Sequence, residues 1–166
     1  MCFLKGTRIL TKNGWICVED LEVGHKVRTL RNGYKTVTLV GSNIISKKES
    51  LYKYPDYELV VTGRHHILLD SIYITEMVGR IVLIEGKVPI TAKKDPTAIP
   101  FLHNGEHLVY GFVLDSSHED LNYGVWANGT LVESSLFYWV ESMDRIEPRS
   151  REELNHVMRN NWSIWA

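Results

Sequence analysis

Two places in this chain carry side chains suited to covalent chemistry. The first is its opening, Cys2-Phe3-Leu4-Lys5-Gly6-Thr7-Arg8-Ile9-Leu10, where a thiol heads a short apolar run. The second is Leu59-Val60-Val61-Thr62-Gly63-Arg64-His65-His66-Ile67-Leu68-Leu69. Here a strand runs into a turn with Thr62 and His65 three residues apart, and a second strand leaves. A Thr and a His on one turn can face a single small site. The hydroxyl can donate to an oxyanion, and the imidazole can protonate a leaving amine. Each feature alone is unspecific. A single cysteine without a partner is only a thiol, and many such turns merely satisfy their own backbone groups. His66 follows directly; neighbours in a strand face opposite sides, so we read it as structural and pointing away from His65. Cys17, in Trp15-Ile16-Cys17-Val18, reads as a small buried core residue.

The elements that must position these groups read as many short strands. Val, Ile, Thr and Tyr are plentiful, and Asn13-Gly14, Asn32-Gly33, Asn104-Gly105 and Asn128-Gly129 separate apolar stretches as hairpin turns do. The pattern predicts strands over 7–10, 15–18, 26–31, 34–46, 57–61, 66–69, 72–74, 81–84, 87–92, 107–115, 122–127 and 130–133. Such regular short spacing indicates an all-β fold. The last stretch changes character. Ser150-Arg151-Glu152-Glu153 is a capping box. Leu154, Val157, Met158, Trp162 and Trp165 then follow at helical spacing, which predicts a terminal helix docked on the β body. Docking of that helix on a partner or a lipid is the alternative.

Composition sets outer limits. The 166 residues suit one domain with a real core. Hydrophobic residues make up 44% and charged residues 23%, as in ordinary globular proteins. The formal net charge of -1 gives no reason to expect a nucleic-acid partner. No apolar run approaches the ~20 residues of a membrane span. Lys5, Thr7 and Arg8 interrupt the opening, so no signal peptide is expected in this chain. Two cysteines are too few for a disulfide scaffold, and no Cys/His spacing suggests a zinc site. Free cysteines and the lack of a signal favour an intracellular setting, with no metal or cofactor.

Taken together, the two features resemble the Hint (hedgehog/intein) family. The opening is similar to its N-terminal block: a nucleophilic Cys, G-T-x-I, T-x-x-G, then Glu19-Asp20-Leu21 leading to Gly24 and a strand. The second is similar to its T-x-x-H block. A third likeness joins Val109-Tyr110-Gly111-Phe112-Val113-Leu114 and Val125-Trp126-Ala127-Asn128-Gly129-Thr130-Leu131-Val132 to the closing block. The likeness covers residues 2 to about 135 in the right order. It implies a horseshoe-shaped β fold over 1–135, with 136–166 as a helical extension, and both domain ends meeting at one site. It also implies roles. Cys2 attacks the carbonyl before it in an N-to-S acyl shift, turning an amide into a thioester. His65 protonates the leaving nitrogen or polarises the amide, with a pKa near its ordinary ~6.5. Thr62 positions the scissile peptide or its oxyanion. The substrate would be the chain's own upstream polypeptide. Release of a single methionine would serve nothing, so a longer segment is expected before Cys2.

The departures from the family are as informative. The family's closing His-Asn is Glu133-Ser134 here. Serine cannot form a succinimide, so C-terminal cleavage and full splicing are not expected. Ser135 falls at the acyl-acceptor position; we read it first as a solvent-exposed turn serine, with ester formation as the alternative. His25 replaces the acid of a G-D turn and reads as a surface residue, a substitute proton carrier being the alternative. Gly111 stands where the closing strand usually has an Asp. His118 aligns loosely with a family His, within an insertion around 115–120. The hedgehog branch uses an acid to activate a sterol, and Thr38-Leu39-Val40-Gly41-Ser42-Asn43-Ile44-Ile45 has none. Water or a small nucleophile is therefore the expected acceptor. The altered closing block favours a second reading, a catalytically silent Hint-fold binding or structural module. A cysteine hydrolase acting in trans is a third, opposed by the position of Cys2.

Overall fold

The computed structural model describes residues 1–46, 51–70, 83–117 and 122–147. The first strands are β1 (Phe3–Leu4), β2 (Arg8–Thr11), β3 (Gly14–Cys17), β4 (Lys26–Arg28) and the long β5 (Tyr34–Ile45). Then come β6 (Leu51–Tyr54), β7 (Leu59–Thr62), β8 (His66–Leu69), β9 (Val88–Thr91) and β10 (Ile99–Pro100). The chain continues through β11 (His107–Leu114), β12 (Gly124–Ala127), β13 (Thr130–Glu133), α1 (Phe137–Glu141) and β14 (Arg145–Glu147). The all-β class is as the sequence predicts. The predicted strand 72–74, residues 81–82 of the predicted strand 81–84, His118 and the helix from Ser150 onward lie outside the described residues.

The pairing order is β10-β6-β7-β1-β11-β5-β4-β2-β12-β13-β8-β9, with β3 against β2 and β14 against β5. The two end strands do not pair with each other, so the sheet stays open. Strand β5 is the spine. Its first residues pair with β4, and Val37–Ile45 pair with β11. The run Thr36-Val37-Thr38-Leu39-Val40, rich in β-branched residues, suits a strand covered on both sides. The closing hairpin β12–β13 turns on Asn128-Gly129, both at positive φ (49° and 91°), as a two-residue loop requires. Asn128 also ties the turn down. Its Oδ1 accepts from the Arg8 N–H at 2.7 Å, and its Nδ2 donates to the Glu58 carbonyl at 3.1 Å. By contrast, Asn104-Gly105 does not join paired strands, because β10 pairs with β6 and β11 with β1 and β5.

The core gathers Phe3, Ile9, Val27, Leu59, Val61, Phe112, Val125 and Val132, each with no exposed surface. Cys17 is half-buried rather than buried, because β3 pairs only with β2 and leaves Trp15 46% exposed. The extension also differs from expectation. Its described part, 136–147, is one five-residue helix followed by a strand on β5, and is not wholly helical. A helix that short is held by packing rather than propensity. Val140 and Met143 supply that packing, lying against Leu39 and Val113.

Strand β1 is two residues long, yet it sits between β7 and β11, with Phe3 opposite both Val61 and Tyr110. So few ladder bonds cannot hold it alone; burial of the Phe3 ring must. Phe3→Ala is expected to cost about 3–5 kcal/mol. Urea unfolding of the two proteins checks this, and a loss below about 1 kcal/mol would mean that β1 is held by other means.

Candidate functional site

Inserting β1 beside β7 sets Cys2 next to the end of β7, and the backbone locks it there. The Cys2 N–H donates to Thr62 Oγ1 at 3.0 Å, and the Thr62 N–H donates to the Cys2 carbonyl at 3.1 Å. Thr62 thus holds the nitrogen side of the Met1–Cys2 peptide bond. The carbonyl side has its own partner: Ser135 Oγ donates to the Met1 carbonyl oxygen at 3.0 Å. One peptide bond is therefore gripped at both ends by side chains 73 positions apart in sequence (135 − 62).

His65 comes from the next turn, with its ring close enough to the Cys2 backbone to interact with it. The turn after β7 delivers it, closed by the His65 N–H donating to the Thr62 carbonyl at 3.0 Å. The ring has no exposed surface and packs against Phe3, with centroids 4.4 Å apart. Its Nε2 is 2.9 Å from the Glu133 carbonyl oxygen. A carbonyl can only accept, so Nε2 carries the hydrogen and neutral His65 has its lone pair on Nδ1. Nδ1 is buried and without a hydrogen-bond partner. A buried polar atom left unpaired costs about 1–3 kcal/mol, which marks it as a functional candidate.

Burial also sets the charge states. It pushes the Cys2 thiol above its ordinary range, although the positive Met1 amine opposes this. It pulls His65 down from its ordinary 6.5 to about 3, with the Met1 amine and His66 adding to the effect and the Glu133 and Cys2 backbones opposing it. The expectation of a near-neutral pKa for His65 is thus corrected: desolvation keeps the ring uncharged at rest. In this state Nδ1 carries a lone pair and no proton, so the ring can accept there and cannot donate.

The sequence missed Glu133. Its side chain is 2% exposed, at the end of β13. The carboxylate receives the His66 N–H at 3.1 Å, meets the His66 ring at Nδ1, and takes the Asn122 amide at 2.7 Å. Its carbonyl meanwhile holds His65. A buried carboxylate persists only with such partners. His66 is engaged with this carboxylate. Ser135 is 1% exposed, so reading it as a solvent-exposed turn serine is also corrected. The overlooked signal was the apolar run Leu136-Phe137-Tyr138-Trp139-Val140 directly after it, which draws the turn inward. Ser134 binds Tyr123, accepting its N–H at 2.9 Å. His25 is occupied in its own turn, Nδ1 accepting from the Glu22 N–H at 3.0 Å. The structure thus gathers Cys2, Thr62, His65 and Ser135, and leaves His25 apart from them. Among the described residues, no group of three or more His, Cys, Asp or Glu is placed to hold a metal ion. No helix among them is long and apolar enough to cross a membrane.

Residues 1–54 match the family model described as the Hint domain. Among solved structures, the MchDnaB-1 intein superposes with a TM-score of 0.51 at 15% identity, covering 80% of this chain and 99% of that one. The AceL NrdHF class 3 split intein, in a splice-inactive variant, gives 0.51 at 12% identity, covering 81% and 97%. At these identities the likeness is one of fold. No curated protein is significantly similar in sequence.

The buried neutral His65 makes stability depend on pH. The unfolded chain takes up a proton here below about pH 6.5, and the folded chain only near 3. Acid therefore favours unfolding, and the stability contributed by the neutral ring is lost as pH falls through that window. His65→Gln cannot titrate. Its melting temperature is expected to fall less between pH 7 and pH 4 than that of the unsubstituted protein; equal falls would contradict the burial argument.

Proposed function

On the premise that this chain has the Hint fold and matches the Hint domain family over its first 54 residues, we propose that it is a self-processing domain acting on the peptide bond before Cys2. The observation that carries this reading is the grip on one peptide bond: Thr62 at its nitrogen, Ser135 at its carbonyl oxygen, and the unpaired Nδ1 of buried His65 nearby.

The chemistry follows from those partners. His65 Nδ1 takes the proton of the Cys2 thiol, and the sulfur attacks the Met1 carbonyl carbon. A carbon–sulfur bond forms and the carbonyl pair moves onto oxygen. As the tetrahedral centre collapses, the carbon–nitrogen bond breaks, and His65 returns the proton to the Cys2 nitrogen. The product is a thioester with a free amine on Cys2. Thr62 keeps the nitrogen aligned so that attack and departure share one geometry. Water, or a small thiol or amine, then cleaves the thioester. The pair starts uncharged, so proton transfer from thiol to imidazole belongs to the climb to the transition state. The donor at the carbonyl and the positioning of the bond must offset that cost.

C-terminal cleavage has no place in this scheme. Ser134 stands where an asparagine would be needed, and its hydroxyl is bound to Tyr123. A silent binding module would keep the fold but has no use for an unpaired buried imidazole nitrogen beside a gripped peptide.

The test is a stable upstream protein fused before Met1, followed by mass spectrometry with and without dithiothreitol. Release at the bond before Cys2, faster with thiol, is expected. Cys2→Ala should abolish it, His65→Ala should slow it by about 10²–10⁴-fold, and Thr62→Val should slow it less. An intact fusion from a folded domain under all conditions would overturn the reading.

A further inference from the structure

The segment 136–147 is built into the β body, and its seat is a pair of glycines. Gly41 of β5 and Gly111 of β11 face each other in register. A Cβ on Gly41 would lie 2.8 Å from Met143 Sδ and 2.9 Å from Val140 Cγ1. A Cβ on Gly111 would lie 3.2 Å from Ser135 Oγ and 3.3 Å from Val140 Cγ2. The missing side chains thus make a shallow trough, and the return segment fills it. Helix α1 lies across the trough, and β14 then pairs with β5 at Arg145↔Ser42, Ile146↔Gly41 and Glu147↔Val40. Cys2 packs against the same apolar cluster, formed by Leu39, Val113, Phe137, Val140 and Met143. Packing on both flanks leaves the Ser135 side chain 1% exposed, with its hydroxyl on the Met1 carbonyl.

We infer that Ser135 is a catalytic oxyanion donor, seated by the Gly41–Gly111 trough, and not an acceptor of the acyl group. This rests on the self-processing reading above. The geometry separates the two roles. An acceptor presents an oxygen lone pair to the carbonyl carbon and needs a base for its proton. Ser135 instead presents its hydrogen to the carbonyl oxygen. The bases within the site have other work: in the reading above His65 Nδ1 takes the Cys2 proton, its Nε2 donates to the Glu133 carbonyl, and the Glu133 carboxylate is taken by His66 and Asn122. As sulfur adds to the carbon and charge builds on oxygen, the Ser135 O–H bond strengthens its hold without losing its proton. When the carbon–nitrogen bond breaks, the charge returns to the carbonyl and the hydroxyl is unchanged. A donor fixed in a dry site before the reaction needs no reorganisation during it.

The upstream fusion provides the test, with thioester read by hydroxylamine release and products mapped by peptide mass spectrometry. Ser135→Ala is expected to form thioester about 10²–10³-fold more slowly, with a melting temperature close to that of the unsubstituted protein. Gly111→Ala, which crowds the hydroxyl, is expected to slow it roughly 10-fold. Ser135→Cys separates the roles even if the alanine variant folds poorly. A donor predicts slower thioester formation, because a thiol is a weak donor, with no upstream segment attached at position 135. Attachment of the upstream segment at position 135, in this variant or the unsubstituted protein, would overturn the inference. So would a Ser135→Ala rate within threefold of the original. Either result leaves the self-processing reading standing. That reading fails separately, if the unsubstituted fusion forms no thioester at all.

Discussion

Burial of the Phe3 ring is the contact on which the geometry of the site rests. The ring lies against His65 on one side and stacks with Phe112 at 5.9 Å on the other. Such burial is worth about 1.5–3 kcal/mol, more than the few ladder bonds of a two-residue strand could supply. Because the ring is held, β1 cannot slide, and a slip of one residue would turn Cys2 to the opposite face. The same ring fixes the plane of His65. One side chain therefore sets the positions of both Cys2 and His65.

Dryness does the rest. Removing water raises the thiol's proton affinity and lowers that of the imidazole, so the resting pair is neutral and inert. The same low polarity strengthens every fixed dipole that meets a developing charge. On the self-processing proposal, such a site is quiet at rest and favours the transition state, because its donors are held by packing rather than recruited from solvent. The cost appears at Nδ1 of His65, the buried nitrogen without a partner.

Much of this was legible in the sequence. Short β-rich runs and Asn-Gly turns gave the all-β class, and the spacing of Thr62 and His65 on one turn marked the site's floor. Those signals are local, so they survive reading one residue at a time. Ser135 and Glu133 were not legible, for a common reason. Their roles depend on burial, set for Ser135 by the return of 136–147 across β5 and for Glu133 by the pairing of β13 with β8, long-range contacts with no local signature. Ser135 and its neighbours look like a polar turn until the apolar residues after them are allowed to fold inward. The pKa of His65 was misjudged in the same way: chemistry suggests a value near neutrality, and only the absence of exposed surface reverses it.

The site draws on the first residues of the chain, on its middle, and on a segment past position 130. The bond from Ser135 to Met1 closes a loop of 134 residues. On a ribosome, Cys2 emerges long before Ser135 exists, and it then has neither a fixed carbonyl nor a donor beside it. A nascent or misassembled chain therefore carries an unarmed thiol. On the self-processing proposal, only folding as far as Ser135 brings these groups together, so scission would report that folding had reached that point.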